Sequence, residues 1–377
     1  MFRKLTARLL SLWLLVIPLG VTAQDAIFSQ YFTQKMNLNP AMTGFEGGTS
    51  LNMNFRSQWP GVDGWANGYE TEVISLETDM PCQQSALGLS YLRTQAGASQ
   101  YTLNHFSVGY AWHTRNLDPK GLGGEFRLGL KASGSFLQLD WDDLLFSDQY
   151  DATMPNIVLP TALPIFGQDQ SQWYMDLDFG MAYSYNFKLI GKSPTRRLTT
   201  GLSFHHLVRA NPTLYFGPDT LPVRTRLHFS YVHGASYGAQ MMYFVPMLKI
   251  DLQKATNGPM QGGTWFQAWT AGVGFNIKKK GKGGVGLWGG FWHQSNRFVG
   301  DPEDTNALSF AGGLRYPISG KRGADNSIRV GISYDYTYSG LRSNSLGVVE
   351  LSLSFRFSEM SIVTCKTTNI DRICELY

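Results

Sequence analysis

Two stretches of the sequence have the spacing of known chemistry, but the context that chemistry requires is absent. Gly234-Ala235-Ser236-Tyr237-Gly238 reads G-x-S-x-G. That motif is a strand-to-helix turn which lifts a nucleophilic serine above a sheet and needs separate acid and histidine partners. Here it falls in a tight turn between two strand-like stretches. Gly284-Val285-Gly286-Leu287-Trp288-Gly289 reads G-x-G-x-x-G, but no helix follows to offer its N-terminus to a pyrophosphate. Glycines inside a strand mark a bend or a close backbone approach instead. His205 and His206 are adjacent; on a strand they point to opposite faces and are expected not to chelate one metal together. Asp140, Asp142, Asp143, Asp148 and Asp151 crowd one segment. Oxygen ligands in the 140–172 loop could bind calcium, yet the spacing lacks the EF-hand pattern and reads better as a solvated acidic loop. No catalytic, cofactor-binding or metal residues are assigned, and the chain is expected to be non-enzymatic.

The elements that would carry any site are strands. Ile328, Val330, Ile332, Tyr334, Tyr336 and Tyr338 fall on one parity, and Arg329, Gly331, Ser333, Asp335 and Thr337 on the other. Val349 to Phe357 and Trp173 to Asn186 alternate in the same way. One-face alternation over about ten residues is the signature of a transmembrane β-strand. Such segments number about fourteen: 49–59, 69–79, 84–94, 100–112, 123–137, 173–187, 196–207, 224–235, 240–252, 264–277, 283–293, 305–316, 326–338 and 347–357. The segments 69–79 and 240–252 are weak, the second because Pro246 argues against a regular central strand. Connections alternate long and short, the longest being 140–172 and 208–223, as in barrels with long outer loops and short periplasmic turns. The fold class expected is all-β, a transmembrane antiparallel outer-membrane barrel of about 14 strands. Arg56, Arg127, Lys131, Asp176, Asp178, Arg226, Arg315, Arg329, Asp335, Glu350 and Arg356 all lie on the polar parity and should face the lumen. Charges of both signs inside a barrel must be hydrated or paired. A salt-bridge lattice that stiffens the barrel is preferred over a surface that grips a polypeptide.

Composition and the N-terminus fit that reading. Aromatic residues are 14% of 377 and charged residues 16%, the latter below the roughly 25% of soluble domains. The net charge of +4 is too small and dispersed for nucleic-acid binding. Arg3, Lys4 and Arg8 precede an apolar run from Leu9 to Val21, and Val21-Thr22-Ala23 supplies a small-residue cleavage signal. The run is shorter than the roughly 20 residues a spanning helix needs. A signal peptide over 1–23, cleaved near Ala23, is expected. Residues 24–48 then form a periplasmic or plug segment, 49–357 the barrel and 358–377 a periplasmic tail. Of the cysteines Cys82, Cys365 and Cys374, the last two could pair across a short loop in an oxidising compartment, or all three could be free. Lys278-Lys279-Lys280-Gly281-Lys282 falls in a short turn, either simply solvated or in contact with an acidic partner.

A family resemblance rests on ordered landmarks. Gln24 to Tyr31 reads Gln-Asp-Ala-Ile-Phe-Ser-Gln-Tyr, followed by Asn39-Pro40-Ala41-Met42-Thr43-Gly44 and Phe55-Arg56-Ser57-Gln58-Trp59-Pro60. Asp148-Gln149, Gly201-Leu202-Ser203-Phe204-His205-His206-Leu207, Gly331 to Ser339 and Glu350-Leu351-Ser352-Leu353 continue the pattern. The chain resembles the PorP/SprF family of type IX secretion outer-membrane proteins. It departs from the family after Phe357, where members usually stop and this chain continues as a periplasmic extension, a partner-binding segment or a disordered end. The resemblance implies support for export and surface anchoring of a large adhesin-type cargo, as in gliding motility, through the cargo's C-terminal sorting domain. The partners implied are outer-membrane lipid, that adhesin, and the periplasmic ring and motor components. Outer-loop aromatics Trp65, Trp141, Tyr150 and Tyr215 are the expected contacts, since aromatics dominate interface hot spots, and the N-terminal segment is expected to face the periplasm. The rival function is an outer-membrane pore or transporter for small molecules.

Overall fold

Fourteen antiparallel strands close on themselves in the computed structural model, each paired with its sequence neighbours and β1 paired with β14. The residues described are 27–59, 68–96, 101–117, 123–139, 149, 171–187, 196–212, 220–238, 240–254, 265–279, 285–298, 305–318, 326–338 and 346–358. Residues 1–26, Trp65, Trp141, Tyr150, Tyr215, the acidic cluster of 140–151, Cys365, Cys374 and the tail beyond Ser358 lie outside them. The strands are β1 Thr49–Gln58, β2 Tyr69–Met80, β3 Ser85–Ala96, β4 Tyr101–Leu117, β5 Gly123–Gln138, β6 Ser171–Phe187 and β7 Arg196–His205. The circle continues with β8 Arg224–Tyr237, β9 Gln240–Lys254, β10 Trp265–Lys279, β11 Gly286–Phe298, β12 Thr305–Pro317, β13 Ser327–Thr337 and β14 Val348–Phe357. The closing ladder runs from Thr49 opposite Phe357 to Gln58 opposite Val348, so no strand edge is left along the seam.

These strands agree with the periodicity reading, which ended β4 and β11 too early; they run to Leu117 and Phe298. Pro246 is a correction. It sits inside β9, opposite Val273 in an unbroken ladder with β10. The ladder with β8 skips from Met247 opposite Ser230 to Phe244 opposite His233. The proline's missing N–H is thus absorbed on the β8 side, and the register is the same above and below the gap.

Alternation divides the wall. Leu87, Leu89, Phe106, Val108, Phe291, Phe310, Val330 and Ile332 are exposed outward, as a lipid-facing band requires. Ser75, Glu77, Arg127, Ser133, Asp178, Ser333 and Glu350 are buried inward. What buries them is the chain's own start. Residues 28–45 are almost all buried, and contain a 3-10 turn at Tyr31–Thr33, one helical turn at Lys35–Leu38 and a second 3-10 turn at Pro40–Met42. The Asn39 side chain caps that second turn, accepting a hydrogen bond from Ala41 N–H at 2.9 Å, with Pro40 at its first position.

The segment threads the barrel from the long-loop end to the short-turn end. Ser29 and Gln30 lie beside Glu350, whose strand begins two residues away, and Ser29 beside Arg56, two residues from the end of β1. Gly48, just before β1, accepts a hydrogen bond from Asp79 N–H near the end of β2. Between these points the segment crosses lumen-facing glycines on neighbouring strands. A Cβ at Gly88 or Gly109 would strike Met36 Sδ at 2.7 or 2.5 Å. At Gly129 it would lie 2.2 Å from Ala41 N and Pro40 C, and at Gly180 it would lie 2.0 Å from Asn39 Oδ1. Gly88 pairs with Gly109, and Gly129 with Gly180. Phe28, Tyr31, Phe32 and Leu38 pack against Tyr243, Val245, Met247 and Trp292 on the far wall.

Gly129→Val tests this seating. The new side chain meets backbone that cannot swing aside, so folded-barrel stability should fall by about 1–3 kcal/mol. Gly134→Val on the same strand, where a Cβ meets nothing within 4 Å, should leave it unchanged. The temperature at which the purified barrel loses its compact gel mobility reads both.

Candidate functional site

The lumen is where the sequence-assigned charges collect. At the long-loop end, Arg56 Nη1 lies 3.1 Å from Asp335 Oδ2 and 3.3 Å from Glu350 Oε2. Glu350 is fully buried and also accepts hydrogen bonds from Ser29 N–H at 2.7 Å, Gln30 N–H at 3.2 Å and Asn54 Nδ2 at 2.8 Å. Ser29 Oγ donates to Asp335 at 2.5 Å. One carboxylate thereby holds two successive backbone amides of the inner segment while an arginine from β1 balances its charge. Asn54 and Arg56 belong to β1, Asp335 to β13 and Glu350 to β14, so the same cluster spans the closing seam.

The remaining assigned residues read the segment's backbone or pair across the wall. Arg127 donates through Nε to Ala41 O at 2.7 Å and through Nη2 to Thr43 O, and pairs with Glu125 at 2.7 Å. Arg226 donates to Asn37 O at 3.0 Å and Leu38 O at 3.2 Å and pairs with Asp251 at 2.5 Å. Arg329 reaches Glu46 at 3.3 Å. Lys131 pairs with Asp178 at 2.8 Å, its partner in the β5–β6 ladder. Asp176 pairs with His206 at 2.5 Å. Arg315 and Arg356 are buried on the same inner face.

Several residues of this lining had no sequence assignment. Glu77 accepts hydrogen bonds from Met36 N–H at 3.4 Å and Gly44 N–H at 2.8 Å; its parity was readable, but its segment was one of the two weak ones. The aromatic ring of Phe45 lies under Arg197 and Arg127, 4.7 and 5.7 Å from the guanidinium carbons. Lys249 covers Tyr31 at 5.1 Å. Residues 24–48 were open to a periplasmic or a plug placement in the sequence, and these bonds hold residues 28–45 inside the barrel.

The histidine pair is a second correction. His205 ends β7, but His206 has φ +62°, and this left-handed turn returns its side chain to the inner side. His205 Nδ1 lies 3.0 Å from Asp178 Oδ2, and His206 N–H donates to Asp178 Oδ1 at 3.1 Å. Ser203 Oγ stands 3.1 Å from His205 Nε2, completing a serine–histidine–aspartate line. Its hydroxyl is fully buried and lies 3.5 Å from Leu38 O, so the line is packed beneath the inner segment. The G-x-S-x-G stretch runs off the end of β8 into a turn at Gly238, without the strand-to-helix geometry of a nucleophile elbow.

Among solved structures the chain is similar to an outer membrane channel from Pseudomonas putida F1, at 10% identity and a TM-score of 0.43, covering 82% of this chain and 94% of that one. It is also similar to the CymD monoaromatic hydrocarbon channel, at 12% identity and a TM-score of 0.37, covering 89% and 94%. A bacterial polysaccharide outer membrane secretin gives 10% identity and a TM-score of 0.39, covering 83% and 99%. No curated protein matches the sequence. The type IX secretion system membrane protein family PorP/SprF matches residues 21–355, a span that takes in the inner segment, β1 to β13 and β14 as far as Phe355. The chain belongs to the PorP/SprF family and is an outer-membrane component of type IX secretion.

Proposed function

We propose that this barrel holds a large adhesin-type cargo at the cell surface through the cargo's C-terminal sorting domain. Signal-peptide cleavage near Ala23 precedes assembly in this reading. The observation that carries it is the filled lumen: residues 28–45 bond to wall residues from β1, β2, β5, β8 and β14. A lumen occupied in this way leaves the outer loops as the working surface. Trp65, Trp141, Tyr150 and Tyr215 supply the anchoring contacts, and the short turns meet the periplasmic ring and motor components. Pull-down from gently solubilised membranes should recover one large surface protein. Replacing the four loop aromatics with alanine should cut that recovery at least tenfold, about 1.4 kcal/mol. Full cargo attachment in this variant would discard the outer-loop model.

The rival small-molecule pore makes the opposite electrical prediction. In planar bilayers the wild-type protein should be silent. Glu350→Ala removes the acceptor of the Ser29 and Gln30 amides and leaves Arg56 with less counter-charge, a loss of about 3–5 kcal/mol for a broken buried pair. Its barrels should therefore show intermittent conductance. Steady conductance by the wild type would favour the pore.

A further inference from the structure

We propose that Asp176, Asp178 and His206 form a divalent-cation site of the zinc class that staples the start of the β7–β8 connection to the upper edge of β6. One ligand atom from each of the three residues lies within 4.8 Å of the others. All three residues are buried, and the His206 side chain keeps 10% of its surface accessible. The set is one imidazole nitrogen with two carboxylates, a mixed nitrogen–oxygen set that suits zinc better than an all-oxygen calcium shell.

The strand register gives the site its purpose. β6 pairs with β5 up to Ser171, but with β7 only up to Phe179 opposite Phe204. The upper half of β6 therefore rises past the end of β7. On that side, among the described residues, the backbone bond from Leu207 N–H to Leu177 O at 3.0 Å is what bridges the gap. Asp176 and Asp178 stand on the inner face of this stretch, and His206 is the first residue beyond β7. The His206 Nδ1 lone pair becomes available when its proton moves to Nε2, so the cation replaces the proton between His206 and Asp176. His205 Nδ1 on Asp178 Oδ2 orients that carboxylate from behind, as outer-shell partners of metal ligands do. Lys131 Nζ, 2.8 Å from the same oxygen, is the resident positive charge an arriving ion must outcompete.

That competition makes the test two-sided. Full-length protein in detergent, stripped with a chelator, is titrated with Zn²⁺ by calorimetry and with Co²⁺ by visible absorption. One ion per barrel is expected, with Co²⁺ bands of a nitrogen–oxygen site and no comparable response to Ca²⁺. Asp176→Asn and His206→Gln should each weaken uptake by about tenfold or more, while Lys131→Met should tighten it. Gel mobility before and after heating confirms that each variant is folded. The gain in Lys131→Met cannot come from misfolding. No stoichiometric uptake by either wild type or Lys131→Met would overturn the proposal. So would uptake unchanged in both Asp176→Asn and His206→Gln, or a preference for Ca²⁺. The assay uses the barrel without cargo, so its result is independent of the anchoring role.

Discussion

A charge on a strand that crosses lipid can go only inward, and an inward charge must find a partner. That constraint organises this molecule. The backbone's polar groups are satisfied by closing the sheet between β1 and β14, and closure fixes which parity of every strand looks into the lumen. Eleven charged residues assigned by parity then face the lumen, and the chain places its own residues 28–45 there. Glu350 with Ser29 and Gln30, Glu77 with Met36 and Gly44, and Arg127 with Ala41 and Thr43 are the same device repeated. A wall charge bonds to main-chain groups that a coiled segment could not satisfy by itself.

Filling the lumen makes a steric demand opposite to the electrostatic one. Charged side chains bring the segment in, and glycines let it approach the wall. Gly88, Gly109, Gly129 and Gly180 lie on four successive strands, β3 to β6, and any Cβ there would collide with residues 36 to 41. The opposite wall uses large side chains instead, with Phe32 edge-on to Trp288 at 5.8 Å and tilted against Trp292 at 5.5 Å. The segment is therefore pressed by bulk on one side into a smooth floor on the other. That asymmetry fixes its position without any strand pairing of its own.

The strands were legible because period two is a one-dimensional signal, and lipid on one face keeps it clean from Thr49 to Phe357. What the segment does inside the barrel was not. Gly129 and Gly180 are 51 residues apart in sequence, and only the β5–β6 register makes them neighbours beneath Pro40 and Asn39. His205-His206 was misread because one left-handed residue cancels the alternation rule, and an isolated φ leaves little trace in side-chain type. Pro246 was over-weighted because a proline's cost depends on which neighbour its missing N–H faces, and sequence alone does not say.

The energetics bear on how such a protein can serve secretion. Expelling the inner segment would strip main-chain partners from Glu350, Glu77, Arg127 and Arg226 together. Hydrogen bonds to charged groups are worth about 1.5–3 kcal/mol each, net of exchange with water, so even one bond counted at each of the four groups resists by roughly 6–12 kcal/mol. At about 1.4 kcal/mol per decade, spontaneous opening is rarer than one barrel in ten thousand. In the anchoring role proposed above, the stopper acts as a brace that ties opposite walls of the barrel together.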